Sequence, residues 1–557
     1  MKKGLLIIFA VVAVVAAAAV AILSFDKSTG DDRAKIEDAI FCYFNVDQLA
    51  KKGAFENYFT PEQRRLYASM VTADVADQEA VNCLYDVIQD FNCSGIDFTK
   101  PVYGYLDEVD RAFVFVAEVV DVKMVDNTLG SVAYLLEQEG EEGFEIVRDG
   151  DARICVLDSD LALVYNDSRA ALVICEEENL TANIDKALSR KLADLTLFGA
   201  SDMAIYMDAN KLTSYGKQYI DEEIALYGDE DLNYLIEELN EQKLLIDELS
   251  KYVTPGAYMI ADLTFDPGRV TMSYKGYGFN TEEYDAMMKR SSGSHLEYID
   301  EDALMVMNVG VEGKRLAESI TTLLNSSLTE LLGINLSSEE RMVMAILCDA
   351  IESISGDVTL VVDSIDGQMN EHINYFSGRV EHRPQLDSVA AAVMMDVTDS
   401  YIITNVGQYA MGLLRKVGED KYVGQFGNIV VDLEQNDGLL FGGVNMKPEK
   451  SDAPATCAKW ANDVANSYFY WVVDVDNVLA NSFVKSCNDL LIEEMDYEYR
   501  GVYRGVVESL SYIYNVSYEP LHNETVLVFD DESTNALQQL TDVVMSVAMS
   551  EINNTIF

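Results

Sequence analysis

Four stretches of the chain show the pattern of a short β-strand followed at once by a helix. In each stretch, bulky apolar or aromatic residues, which favour strands, come first. Polar residues follow, and apolar positions then recur at helical spacing. The stretches cover 41–49, 204–212, 304–309 with the helix after it, and 470–478. This repetition predicts one strand-to-helix unit that is used four times.

In three of these units a pair of acid or amide residues stands where the strand meets the helix. The pairs are Asn45 and Asp47, Asp208 and Asn210, and Asp474 and Asp476. Asp and Asn side chains at a helix start accept backbone N–H bonds that the helix leaves open. We expect the second member of each pair, Asp47, Asn210 or Asp476, to be the cap. An Asp-x-Asp pattern can also ligate a metal or a nucleotide sugar, but capping already explains these residues.

Other segments have the signature of β-hairpins, in which two apolar runs flank a tight turn. The turns are Asp158-Ser-Asp160, Asp266-Pro267-Gly268 and Asn436-Asp437-Gly438. Long amphipathic helices, such as the one predicted over 232–249, separate the strand segments. The pattern predicts an α+β fold of two similar lobes, each with antiparallel sheets packed with amphipathic helices. We place lobe 1 at 31–293 and lobe 2 at 294–557.

An unbroken apolar run of 19 residues from Leu5 to Leu23, preceded by Lys2 and Lys3, comes before both lobes. As a helix it would rise roughly 28 Å, about the thickness of the bilayer hydrocarbon core. The lysines favour a cytoplasmic N-terminus. Residues 1–30 are thus predicted to be a transmembrane signal-anchor, or a signal peptide cleaved near Ser24, with a short spacer. We expect a cell-envelope protein anchored in the inner membrane with its bulk extracytoplasmic, or exported after cleavage.

The charge of the chain narrows the range of partners. It has 95 acidic and 40 basic residues, a formal net charge of -55. This balance opposes binding to nucleic acid and to anionic lipid headgroups, both of which require Lys and Arg. We therefore expect no nucleic-acid partner and a membrane contact through Leu5 to Leu23 alone. The acids either keep an exposed protein soluble or bind divalent cations.

Cysteine and histidine patterns do not predict a metal site. The eight cysteines contain no Cys-x-x-Cys, and no Cys or His pair has zinc-finger spacing. A disulfide between Cys155 and Cys175, or one between Cys83 and Cys93, is an open alternative. The segment 432–438 superficially resembles a calcium loop, but Asp437 stands where glycine is required, so we interpret it as a hairpin turn.

Catalytic signatures are also missing from the sequence. The four histidines, His295, His372, His382 and His522, have no Gly-x-Ser-x-Gly elbow beside them. His-Glu-x-x-His, P-loop and dinucleotide motifs are not found either. His295, in Ser-Ser-Gly-Ser-His, is expected to be an ordinary surface histidine. We assign no catalytic, cofactor-binding or metal residue and predict no hydrolytic centre built on histidine.

Two phrases of the sequence suggest a family. Asn45-Val-Asp47-Gln-Leu49 follows a strand, and Gly95-Ile-Asp97-Phe-Thr-Lys100-Pro101-Val-Tyr103 comes after the next helices. Together they resemble the opening of bacterial envelope proteins with the domain of unknown function 4836, and the similarity extends over 34–557. Many members of that family look like exported lipoproteins, but here the first cysteine is Cys42, too far from the apolar run for lipid attachment. The resemblance implies no established activity, cofactor or catalytic residue.

These observations favour a non-catalytic binding or scaffold protein of the cell envelope. The sequence does not show whether its ligand is a protein or a glycan. One alternative is an envelope hydrolase that uses paired carboxylates; two acids about 5–10 Å apart in an aromatic-lined cleft would favour it. Another is a calcium-stabilised surface protein, which acids converging on one loop would favour. A histidine between a nucleophile and an acid in a cleft would contradict our prediction about histidine.

Overall fold

The computed structural model describes residues 38–58, 60–62, 65, 77–107, 112–138, 144–175, 179–189, 198, 201–228, 233–324, 337–373, 380–409 and 413–556. The predicted signal-anchor from Leu5 to Leu23 lies outside these ranges. Among the helices that the structure describes, none is both long and apolar enough to cross a bilayer.

Twenty strands of the described residues join in one sheet, in which every pairing is antiparallel. The first ten strands are β1 Ile40–Phe44, β2 Val102–Asp107, β3 Ala112–Glu118, β4 Ile146–Asp149, β5 Ala152–Asp158, β6 Leu161–Tyr165, β7 Arg169–Ile174, β8 Met203–Asp208, β9 Val253–Asp266 and β10 Arg269–Phe279. The second ten are β11 Met305–Gly310, β12 Ile354–Ile373, β13 Val380–Val397, β14 Arg415–Lys416, β15 Lys421–Phe426, β16 Ile429–Asn436, β17 Leu439–Val444, β18 Phe469–Asp474, β19 Leu510–Glu519 and β20 His522–Phe529.

The strand order repeats itself. The first half runs β4-β5-β6-β7-β3-β2-β1-β8-β9-β10 across the sheet. The second half runs β14-β15-β16-β17-β13-β12-β11-β18-β19-β20, so each strand corresponds to the one numbered ten lower. Strands β10 and β20 pair with each other and join the halves. The pairing therefore has an approximate two-fold relation about β10 and β20.

Fifteen helices of the described residues connect these strands, which confirms the α+β class. They are α1 Val46–Lys52, α2 Phe55–Tyr58, α3 Gln78–Gln89, α4 Val122–Gln138, α5 Leu180–Ser189, α6 Ala209–Gly228, α7 Asn233–Leu249, α8 Glu282–Met287, α9 Gly313–Leu324, α10 Ser338–Glu352, α11 Tyr401–Tyr409, α12 Val475–Ala480, α13 Ser482–Glu494, α14 Tyr497–Glu508 and α15 Ala536–Ile556. Under the centre of the sheet, α15 packs Leu537 and Leu540 against Phe265 and Val270.

The opposite face of the sheet carries one core in each half. In the first half this core is rich in aromatic side chains, among them Phe41, Tyr43, Tyr103, Tyr206 and Tyr258. In the second half, corresponding strand positions carry several polar residues, and segments before β11 and before β18 cover them. The two halves thus share a strand order but differ in what they bury.

The four strand-to-helix units are present as β1 to α1, β8 to α6, β11 to α9 and β18 to α12. Our expectation about the capping residue was wrong, because the first polar residue of each pair is the cap. Each capping side-chain oxygen accepts a backbone N–H three residues ahead. Asn45 accepts that of Gln48 at 3.1 Å, Asp208 that of Lys211 at 2.9 Å, and Asp474 that of Asn477 at 3.1 Å.

The predicted caps lie two residues too far along the chain. Asp47, Asn210 and Asp476 are each the second residue of their helix. The backbone of a capping residue is not yet helical, and its side chain accepts a hydrogen bond from the backbone N–H two or three residues later in the chain. In these units only the first polar residue meets that condition.

The predicted hairpins are confirmed as β5–β6, β9–β10 and β16–β17. In the last, Asp437 and Gly438 have φ of 48° and 82°, the left-handed conformation that a two-residue hairpin turn requires. All eight cysteines lie within the described residues, and none of them is in a disulfide. Neither Cys155 with Cys175 nor Cys83 with Cys93 forms a disulfide.

Candidate functional site

A group of polar side chains lies where the two halves of the sheet meet. Asp262 on β9 is directly opposite Ser273 on β10, and Ser273 is directly opposite Glu524 on β20. Lys275 is likewise opposite His522. Residues directly opposite each other project from the same face of a sheet. We call these five residues the seam cluster.

Hydrogen bonds divide the seam cluster into two parts. Ser273 donates from Oγ to Asp262 Oδ2 at 2.7 Å. His522 Nε2 lies 2.8 Å from Glu524 Oε1. Ser273 is buried, whereas the side chains of His522 and Glu524 are partly exposed. The Glu524 side of the cluster is therefore partly open to solvent.

The two carboxylates of the seam cluster have pKa values shifted in opposite directions. Burial raises the pKa of Asp262, and the hydrogen bond from Ser273 and the charge of Lys275 only partly offset this. The hydrogen bond to His522 lowers the pKa of Glu524, although burial acts the other way. Neighbouring strands are about 4.8 Å apart, so the two backbones lie about 10 Å apart across β10. The environment thus separates the pKa values of the two acids.

Tyrosine side chains flank the seam cluster on both sides. On the first-half side, the ring of Tyr277 stacks on Tyr258 with centroids 4.6 Å apart. On the second-half side, Tyr512 and Tyr518 hydrogen-bond to Asp463, through its carboxylate and its backbone carbonyl respectively. The region thus combines aromatic surface with hydrogen-bonding groups.

An ion pair continues this polar region toward the end of β10. Arg269 Nη2 lies 3.2 Å from Asp463 Oδ2. With Lys275 and His522, Arg269 brings three basic groups to face Asp262, Glu524 and Asp463. In a chain with 95 acidic and 40 basic residues, this local balance differs from the average. The region therefore offers both hydrogen-bond donors and hydrogen-bond acceptors.

A second polar group lies in the core of the second half, and His295 is its centre. The imidazole Nδ1 is 2.7 Å from Thr359 Oγ1, and Nε2 is 3.1 Å from Asp396 Oδ1. His295 is only 2 % exposed, so our expectation of a surface histidine was wrong. The segment that carries it folds onto the sheet because Thr359 and Asp396 satisfy both ring nitrogens.

The distances around His295 are those of a catalytic acid–histidine–hydroxyl triad, but the hydroxyl is buried, whereas a catalytic hydroxyl must be open to substrate. Thr359 is 0 % exposed, and Asn308 Nδ2 also hydrogen-bonds its hydroxyl at 3.1 Å. The partly exposed member is Asp396, at the end opposite the hydroxyl. A substrate would have to reach Thr359 through the core of the sheet. The arrangement is therefore a structural network that fastens the segment around His295.

Asp396 also binds the backbone of β12. Its Oδ2 accepts the N–H of Asp357 at 2.9 Å. A Cβ atom on Gly356 would lie 2.5 Å from that oxygen, so only glycine permits this approach. Although burial acts to raise the pKa of Asp396, the hydrogen bonds from His295 and Asp357 together lower it. The carboxylate therefore stays ionised and keeps both hydrogen bonds.

Three acids converge near the start of β11. The carboxylates of Asp300, Asp302 and Asp363 have oxygens within 4.8 Å of one another. Burial first, and then the charges of the other two acids, raise the pKa of Asp363 to about 6. The calcium-loop resemblance at 432–438 is instead the β16–β17 hairpin, as predicted. Among the described residues, this trio is the group of acids that bears on the calcium-stabilised alternative.

Sequence reasoning did not single out the seam cluster or the partners of His295. The seam cluster depends on the pairing of β10 with β20, strands about 250 residues apart. The partners of His295 lie 64 and 101 residues away along the chain. The alternation of apolar and polar residues along β9, β10 and β20 could have shown that polar residues interrupt an apolar face of each strand. It could not have shown that these three strands are neighbours in the sheet.

Comparison with known proteins bears on the family. No curated protein and no solved structure shows a significant match to this chain. The chain does match the family described as Domain of unknown function (DUF4836), over residues 36–537. That match covers nearly the whole chain and agrees with the resemblance carried by residues 45–49 and 95–103. The chain belongs to the DUF4836 family.

Proposed function

We propose that this chain is a cell-envelope protein with a non-catalytic binding or scaffold role, and that the seam cluster is its binding site. The observation that carries the proposal is the position of the cluster. It stands at the junction of the repeated halves, partly open to solvent, on a face whose flanks are packed cores. Burying so many charged groups without a ligand to recognise would stabilise a sheet less than apolar residues would.

The chemistry of the seam cluster favours a neutral ligand rich in hydroxyl groups, such as a saccharide. Asp262 and Glu524 accept hydrogen bonds, whereas Lys275 and Arg269 donate them. Tyr277 supplies an aromatic surface beside the cluster. A hydroxyl group both donates and accepts, so it can pair with both kinds of group.

The location in the envelope is supported by the apolar run from Leu5 to Leu23 and by the lysines before it. Fractionation of the native host tests it: the full chain should resist alkaline extraction if anchored, or appear in the extracytoplasmic fraction if cleaved. A chain of residues 30–557 should be soluble without detergent. Recovery of the full chain with cytoplasmic proteins would contradict the proposal.

The repeated strand order supports two lobes, at 31–293 and 294–557. The boundary falls between β10 and β11, where the second set of ten strands begins. Because β10 pairs with β20, the lobes would share one sheet and could not move as independent bodies without breaking that pairing.

A screen of immobilised oligosaccharides with the full chain in detergent tests the binding role. We expect selective capture of at least one saccharide class, and the same class should be captured by residues 30–557 if they fold alone. If no saccharide is retained by the full chain, the ligand class is wrong. Retention that survives substitution of both Asp262 and Glu524 by amides would show that the site is wrong.

One observation favours a second candidate, the hydrolase with paired carboxylates. Asp262, with its raised pKa, has the character of a general acid, and Glu524, with its lowered pKa, that of a base. Inverting glycosidases hold two such carboxyl groups about 6.5–9.5 Å apart, flanking a water and the glycosidic bond. The test is the release of reducing ends from a glycan. If the wild type releases them and both D262N and E524Q do not, the hydrolase role replaces the binding role.

A further inference from the structure

Several buried polar atoms of the second half have no hydrogen-bond partner among the described residues, and three of them lie on the adjacent strands β11, β12 and β18. They are Asn308 Oδ1, Asp357 Oδ1 and the hydroxyl of Tyr470. The three residues are 1 %, 2 % and 2 % exposed. Buried polar atoms are nearly always satisfied by protein, water or an ion. Three such atoms in one core point to something bound there.

The three side chains are neighbours on one face of the sheet. Asn308 on β11 lies directly opposite Tyr470 on β18 and opposite Thr359 on β12. Asp357 is two residues before Thr359 on the same strand, so it projects from the same face. Burial raises the pKa of Tyr470, and the nearby charge of Asp357 raises it further. Asp357 is therefore close enough to Tyr470 for their charges to interact.

The charge of Asp357 has no positive partner in the part of the chain that the structure describes. Its Oδ2 accepts the backbone N–H of Ser292 at 2.9 Å and the Ser292 hydroxyl at 2.6 Å. Both donors are neutral, and Oδ1 is buried without a hydrogen-bond partner among the described residues. A buried carboxylate is costly unless a cation pairs with it. A water could satisfy the hydrogen bonds but would leave the charge uncompensated.

The first half shows that the strand order does not require these polar groups. By register, Tyr43 corresponds to Asn308, Tyr103 to Thr359 and Ala204 to Tyr470. The first half thus fills the corresponding positions with two tyrosines and an alanine, and the Tyr103 hydroxyl is likewise buried without a hydrogen-bond partner among the described residues. The buried carboxylate of Asp357 and the buried amide of Asn308 are particular to the second half, as expected of a site and not of a folding requirement.

We propose that an alkali cation, Na⁺ or K⁺, binds between Asp357, Asn308 and Tyr470. Asp357 Oδ1 and Asn308 Oδ1 would be its anionic and amide ligands, and the Tyr470 hydroxyl oxygen its third protein ligand. One carboxylate matches one positive charge, whereas Ca²⁺ usually recruits several carboxylates. The cation would tie β11, β12 and β18 together beneath the segment that His295 fastens. This inference is independent of the seam cluster.

Thermal unfolding of the full chain in detergent, at constant ionic strength, tests the proposal. Choline chloride is replaced stepwise by NaCl or KCl, so that screening of the net charge stays fixed. We expect a saturable rise of roughly 3–5 °C in the unfolding midpoint with at least one of the two salts. The rise should be absent in D357N. In Y470F, which keeps the ring, half-saturation should need about tenfold more salt.

D221N serves as the matched control, because Asp221 is an exposed acid on α6 that pairs with Lys243. It should keep the full wild-type response. Should D357N fail to fold, the Y470F titration still decides the matter. Equal midpoints in choline, Na⁺ and K⁺ would mean that only an ordered water is bound and would overturn the proposal. A response to CaCl₂ alone, or an unchanged response in Y470F, would overturn it as well.

Discussion

Ser273 and Glu524 lie directly opposite each other on β10 and β20, the strands through which the two halves of the sheet are joined. By register they occupy corresponding positions of the two halves. The approximate two-fold relation therefore places a buried serine in one half where the other half has a partly exposed glutamate. The two positions differ in their chemistry. This divergence sets the seam cluster apart from the repeated framework.

Replacing the true cap of α1 should cost more stability than replacing its predicted cap. Asn45→Ala removes the side chain that accepts the Gln48 N–H, and we expect a loss of about 0.5–2 kcal/mol. Asp47→Ala removes only an exposed ion pair with Lys51, expected to contribute at most about 0.5 kcal/mol. Denaturant unfolding of both variants measures the difference. A larger loss for D47A would restore Asp47 as the cap.

Gly356→Ala should loosen the network around His295. The added Cβ would lie 2.5 Å from Asp396 Oδ2, which is too close, so the carboxylate must move. We expect destabilisation of about 1–3 kcal/mol. Gly442→Ala is the control, because its nearest neighbour would lie at 3.7 Å, an ordinary contact. Equal stabilities for the two variants would mean that the approach of Asp396 to the backbone is unimportant.

Asp363 should make the protein less stable as the pH rises. Its pKa of about 6 in the folded state exceeds the ordinary 3.8, so the folded state binds the proton more tightly than the unfolded state does. The stabilising effect of this proton is complete below about pH 4 and is lost as the pH rises through about 6. D363N should therefore unfold at a higher temperature than wild type at pH 7.5, but not at pH 4.

The same variant separates repulsion among the acids from calcium binding. If Asp300, Asp302 and Asp363 hold Ca²⁺, millimolar CaCl₂ should raise the wild-type midpoint at pH 7.5 and reverse the advantage of D363N. D221N, tested under the same conditions, accounts for general screening of the net charge. A calcium response of the same size in D363N and in wild type would exclude the trio as a calcium site.

Local pattern was sufficient to predict the strand-to-helix units and the hairpins, because both depend on residues within a few positions of each other. Asp437 and Gly438 specify their turn with no help from the rest of the chain. The caps were missed by two residues, since composition alone does not show where extended backbone ends.

Long-range pairing accounts for what sequence could not predict. His295 looked exposed because serines and a glycine precede it, yet partners 64 and 101 residues away bury it. Asp262 and Glu524 each look like one acid among many. Only the registers of β9, β10 and β20 bring them to one face, and only their surroundings shift their pKa values apart.

Calorimetric titration of the full chain with the saccharide selected by the screen tests the central claim most directly. D262N and E524Q should each bind at least about tenfold more weakly than wild type, a loss of about 1.4 kcal/mol. D221N, which changes an exposed acid on α6, should bind as wild type does. Wild-type affinity in both D262N and E524Q would contradict the assignment of the seam cluster as the binding site.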